Sequence, residues 1–121
     1  MTTAKLLRKV EAKTTAYSIT SADWGKLFTN RGASGSVTFT LPAVAAAESG
    51  FYVDFFVVAD QDVVIASTAD QMITFNDVDA NAITFSTSSE KVGAAATLIC
   101  DGTSWLAILH TEETQTTTVT T

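Results

Sequence analysis

The sequence predicts an all-β domain: an antiparallel sandwich or jelly-roll-like barrel with one short helical crossover, plus an N-terminal arm. Three observations carry this reading. Nine short β-type segments lie between Thr15 and His110, several of them alternating apolar and hydroxyl residues. Glycine, Asp and Ser clusters of the kind that close turns separate them. One Ala-rich stretch alone has the makeup of a crossover helix.

Residues 1–13 read as an arm, 14–110 as the β-domain, and 111–121 as a Thr-rich tail or extra strand. In the arm, Leu6, Leu7 and Val10 fall at helical spacing, so a short amphipathic helix is one reading. Nothing caps it, and it is shorter than the roughly 12–15 residues an isolated helix needs, so it is expected to order only against something else. Ser21-Ala-Asp-Trp-Gly25 predicts one helical turn with Ser21 as N-cap and Gly25 as stop. Val37, Phe39 and Leu41 alternate with Thr38 and Thr40, and Ile73/Phe75 and Ile83/Phe85 repeat the pattern around a central Thr. Pro42 before Ala43-Val44-Ala45-Ala46-Ala47-Glu48 predicts a short helix with Pro42 at its first position. Residues 51–59 differ: Phe51, Val53, Phe55 and Val57 fill one face while Tyr52, Phe56 and Val58 fill most of the other. A strand apolar on both faces is covered twice, by its own core and by a second layer or subunit. Asp54 interrupts the second face and needs a partner there. Asp60-Gln61 is expected to close a tight hairpin, and Asp101-Gly102 to join 95–100 to 104–110, because both residues tolerate positive φ. The tail, β-branched and low in complexity, is either frayed or a strand supplied to a neighbour.

Composition narrows the function classes. At 121 residues the chain is one domain, large enough to bury a core, and 46% hydrophobic residues against 17% charged suggest self-association. Lys5, Arg8, Lys9 and Lys13 against Glu11 give the first 13 residues +3, whereas Lys26, Arg31 and Lys91 against the other twelve acids leave the rest at −9. An acidic body repels phosphate backbones, so no nucleic-acid partner is expected, while the basic arm suits an acidic protein surface. No apolar run approaches the roughly 18–20 residues of a membrane span, and no membrane partner is expected. The start is too charged for a signal peptide.

Few residues offer chemistry. Cys100 sits in a strand-like apolar run and reads as a buried thiol; His110, the one histidine, reads as a rim residue without a catalytic neighbour. Gly32-Ala33-Ser34-Gly35 falls short of a nucleophile elbow. Asp77-Val78-Asp79-Ala80-Asn81 opens like a calcium loop, but Ala82 replaces the required Gly and Ser88 the bidentate Glu, so it reads as a solvated loop. Asp60, Asp62 and Asp70 match no metal template. Trp24 and Trp105 are the largest anchors, read as core caps, with Trp24 as the alternative partner contact. Neither a catalytic set nor a cofactor or metal is expected, and the chain is read as a non-enzyme.

Residues 17–42, YSITSADWGKLFTNRGASGSVTFTLP, with the Ala-rich crossover, the aromatic strand and the closing LICDGTSW of 98–105, resemble a β-module of tailed-bacteriophage virion proteins. The similarity runs from about Tyr17 to His110 and rests on the order of these motifs. It implies a capsid decoration, or cement, protein: a homotrimer on the capsid surface, bound to the major capsid protein and made in the cytoplasm of the bacterial host. In that reading Lys5, Leu6, Leu7, Arg8, Lys9 and Val10 of the arm contact the capsid. Tyr52, Val53, Phe55 and Phe56 form the subunit interface. A small tail- or fibre-associated virion protein is the alternative, and a lectin-like sandwich using Trp24, Tyr52 and Trp105 is another.

Overall fold

A computed structural model describes residues 7–86, 90–112 and 114–121. Twelve strands among these residues form two sheets packed face to face, as the all-β sandwich reading expects. The first sheet runs β1 (Val10–Ala12), β3 (Leu27–Thr29), β5 (Tyr52–Phe56), β10 (Ala95–Cys100), β11 (Trp105–His110), β7 (Met72–Thr74), β8 (Asp77–Ala80). The second runs β12 (Thr117–Thr120), β9 (Ala82–Phe85), β6 (Val63–Ala66), β4 (Val37–Thr40), β2 (Tyr17–Ser18). Neither sheet closes on itself, so the barrel alternative falls.

Both sheets are mixed, which corrects the expectation of antiparallel pairing. From β1 to β6 the chain crosses to the opposite sheet after every strand. Each strand therefore meets, in its own sheet, a strand two steps away running the same way: β1·β3, β3·β5, β2·β4 and β4·β6 are all parallel. Asp60-Gln61 accordingly does not close a hairpin but carries the chain from β5 in one sheet to β6 in the other. Local turn chemistry specifies that the chain bends and leaves open which sheet the next strand joins.

The core lies between the sheets and is led by fully buried Trp105, Phe28, Phe39, Phe55 and Phe85. Phe28, Phe39 and Phe55 form an aromatic cluster across the sheet gap, with ring centroids 5.0–6.0 Å apart. Trp105 meets Phe51 edge-on and donates its indole N–H to the Pro42 carbonyl at 3.1 Å, which satisfies the one polar atom it buries. Cys100 is buried, as expected. Asn30 is buried without a sequence signal. Its side chain donates to the Ala59 carbonyl and accepts from the Val58 and Ala59 N–H groups, extending the β3·β5 ladder past its last main-chain pair.

Several local expectations shift. The arm contributes no helix over residues 7–13: Val10–Ala12 is an edge strand parallel to β3. The 3₁₀ turn Ser21–Asp23 is capped by Thr20 rather than Ser21, since Asp23 reaches back to the Thr20 N–H, and Gly25 at φ +75° ends it. Helix α1 spans Val44–Ala47 with Ala43 as N-cap, so Pro42 precedes the cap. Residues 77–81 are no solvated loop, because Asp77–Ala80 is strand β8. It is turned back on β7 by Phe75 and Asn76, both at positive φ as a two-residue hairpin turn demands. That turn ends β7 at Thr74, so Met72 and Thr74 point inward and Phe75 is exposed, a one-residue inversion of the expected face. The tail strand pairs within its own chain, antiparallel to β9.

Candidate interaction surface

Side chains alternate across a strand, so burying Phe28, Val53, Phe55, Leu98 and Trp105 turns their neighbours to the outside of the seven-stranded sheet. Strand register aligns these outward residues in three rows. The first is Val10, Leu27, Asp54, Thr97 and Ile108; the second Tyr52, Ile99, Leu106 and Ile73; the third Ala12, Thr29, Phe56, Ala95 and His110. Most of these are apolar, and Tyr52 (39% exposed), Phe56 (41%), Ile108 (47%) and Val10 (58%) present much of their area to solvent. The outer face of the five-stranded sheet is the opposite kind. Its rows are Thr38, Val64, Thr84 and Thr118, then Ser18, Thr40, Ala66, Ala82 and Thr120, a small, hydroxyl-rich surface that water wets well. Among the described residues the molecule thus has one hydroxyl face and one apolar face, and an apolar sheet face that no described residue covers is a candidate interaction surface.

Asp54 is the one charge in the middle of the apolar face, and Arg8 supplies the partner it needs. The Arg8 guanidinium pairs with Asp54 Oδ2, donates to the Gly25 and Lys26 carbonyls at 2.6 and 3.1 Å, and lies 6.0 Å from the centroid of the Tyr52 ring. Asp54 Oδ1 is buried and has no hydrogen-bond partner among the described residues. Arg8 thereby clamps the chain ahead of β1 onto the apolar face. Leu7, Arg8, Lys9, Trp24, Lys26 and Tyr52 line a recess at this corner, with Trp24 67% exposed on its rim.

A second set of charges pins β1 from the other side. Lys26 Nζ donates to Asp23 Oδ1 at 2.7 Å and to Glu11 Oε1 at 3.0 Å; Tyr17 Oη donates to Asp23 Oδ2 at 2.9 Å. Lys13 sits 3.9 Å from the Tyr17 ring centroid and 3.4 Å from Glu11 Oε2. Burial pushes the Asp23 carboxyl up, but the hydrogen bonds from Lys26, the Thr20 N–H and Tyr17 outweigh it and hold Asp23 below the usual carboxylate range. The Lys26 hydrogen bond likewise lowers Glu11, against a smaller effect of burial. Burial, then the bond to Asp23, raises the Tyr17 hydroxyl.

The structure divides the residues expected to make contacts. Tyr52 and Phe56 lie on the open face. Val53 and Phe55 do not: both are fully buried in the chain's own core, which corrects their assignment to a subunit interface. Leu7, Arg8, Lys9 and Val10 are exposed, although Arg8 is engaged with Asp54; Lys5 and Leu6 lie outside the described residues. Trp105 is core and Trp24 surface. His110 is exposed at the sheet rim, 3.4 Å from the Thr97 hydroxyl. Lys91, buried, pairs with Asp62 at 3.0 Å and Asp60 at 3.8 Å. Among the described residues no His, Cys, Asp and Glu side chains gather in a set suited to a metal ion. Ile99, Leu106 and Ile108 were missed as surface residues, though the period of two in 105–110 held the signal once Trp105 was assigned inward. Compared with protein-family models and with curated proteins, the chain matches none.

Proposed function

We propose that this chain is a structural virion protein that binds the outer surface of a bacteriophage capsid as a trimer and stabilises it. The observation that carries the reading is the open apolar face of the seven-stranded sheet, with the basic segment clamped at its corner by Arg8. Such a face suits protein contact, and the corner's positive charge, set in an otherwise acidic chain, suits an acidic patch on a capsid subunit. The motif resemblance of residues 17–42 and 98–105 to phage virion modules supports the same reading. Three linked copies gain avidity, because release of one contact is reversed before the others let go. Undecorated capsids incubated with the purified chain and sedimented should show saturable binding and a raised disruption temperature. Absence of saturable binding would reject the proposal.

One observation favours a second reading. Trp24 and Tyr52 line one recess and both are exposed, and aromatic side chains beside a recess are what a lectin uses to stack a sugar ring. Specific binding on a glycan array, lost in Trp24→Ala, would favour that reading over capsid decoration.

A further inference from the structure

Among the described residues the seven-stranded sheet ends at β1 on one side and β8 on the other, two edges of opposite charge. At one edge, β1 is flanked by Lys9 and Lys13 around a single Glu11, with Arg8 paired to Asp54; at the other, the β7·β8 hairpin carries Asp70, Asp79 and Asp77, the last accepting from the Asp79 N–H and the Thr121 hydroxyl, and no basic residue. Each edge also shows an exposed valine: Val10 is 58% exposed and Val78 62%, with Phe75 beside it at 62%. On β1, the Lys9 carbonyl and the Lys13 N–H bond to β3. By alternation the main-chain groups of Val10 and Ala12 face outward, where no described strand pairs with them.

We propose that copies of this chain associate head to tail, the β1 edge of one copy pairing with the β8 edge of the next. Charge decides between the possible edge pairings. Two β1 edges would set the Lys9 and Lys13 charges of one copy against those of the other and two β8 edges the Asp77 and Asp79 charges, whereas β1 against β8 brings opposite charges together. Charged edge residues guard a sheet against unwanted pairing, and here that guard blocks the like pairings while leaving the unlike one open. Directions agree. Following the pairings across the sheet, β1, β3 and β5 run one way, β10 the other, β11 and β7 the first way again, and β8 is reversed. Copies related by an axis along the strands therefore meet antiparallel, the stronger ladder. A heterologous contact closes into a ring when the rotation between copies is that of a cyclic point group, and a three-fold rotation at this edge gives the trimer.

This inference deepens the self-association within the proposed function and rests on it. The test uses Lys9→Glu, Asp79→Lys and the double variant, with native mass read by light scattering over a concentration series and folding checked by circular dichroism. Both substituted side chains are exposed, so the fold is expected to be retained. Each single variant should weaken association by at least about tenfold, and the double variant, which restores opposite charges at every junction, should recover it. A wild-type oligomer indifferent to both reversals, or a double variant no better than the singles, would overturn edge pairing and leave the trimer standing. A wild-type monomer would overturn both.

Discussion

Replacing Asn30 by alanine tests how the β3·β5 ladder is held where the chain crosses from one sheet to the other. Asn30 follows β3, and residues 58 and 59 follow β5 at the point where the chain leaves one sheet for the other. The Asn30 side chain makes three hydrogen bonds there, at 2.8, 2.9 and 3.0 Å. The Asn30→Ala variant would strand the Val58 and Ala59 N–H groups, while the Ala59 carbonyl would lose one of its two donors and keep the Gln61 N–H at 2.7 Å. Val58 and Ala59 are half-buried, so water recovers part of the loss and each bond is taken near its net value of about 1 kcal/mol, not the larger penalty of a fully buried orphan. The sum is about 3 kcal/mol. For a domain of this size that corresponds to a melting temperature lower by roughly 12 °C. Urea denaturation should show the lower midpoint with an unchanged slope, and hydrogen exchange should show Val58 and Ala59 amides losing protection while Val53 and Phe55 keep theirs. A stability loss below about 1 kcal/mol, with both amides still protected, would refute the role assigned to Asn30.

Four further outcomes are expected. Val53→Asp puts an unpaired charge into the core and should leave the chain unfolded by circular dichroism, at a cost above about 4 kcal/mol. Tyr52→Ser with Phe56→Ser should instead melt within a few degrees of wild type while losing capsid binding in sedimentation, because both side chains lie on the open face. Glu11 and Asp23 are held below their ordinary values by Lys26 and their other donors, so the stability they contribute is complete above the unfolded carboxylate range, near pH 4, and is lost as pH falls through their lowered values. Acid titration followed by hydrogen exchange should show β1 detaching early, and Glu11→Gln should flatten that dependence. Cys100, 1% exposed, should react with a thiol reagent only as fast as the protein unfolds.

Much of this fold was legible because alternation is a local signal. Val37, Phe39, Ile83 and Phe85 face the core as their spacing requires, and the Asp101-Gly102 turn joins β10 to β11, with Asp101 accepting from the Thr103 and Ser104 N–H groups. Sheet membership was not legible. The same Asp-Gln dipeptide serves a hairpin or a crossing, and only tertiary packing selects the crossing that makes β1 to β6 parallel. The inverted face of β7 has a similar origin: Phe75 has the composition of a core residue, yet the hairpin needs positive φ there. For the candidate surface, two-sided burial of 51–59 was half right. Tyr52 and Phe56 do form an outward apolar face, while Val53 and Phe55 share their strand and not their side. Arg8 was placed in the arm but its pairing with Asp54 spans 46 residues, and no local pattern announces such a contact.

The central claim is that the apolar face of the seven-stranded sheet is the docking face. Hydroxyl-radical footprinting of the chain, free and bound to undecorated capsids, tests it most directly. The account predicts protection of Tyr52, Phe56 and Ile108 on binding, with Thr38, Val64 and Thr84 on the opposite face labelled as before. Protection confined to the hydroxyl face, with Tyr52 and Phe56 labelled equally in both states, would contradict it.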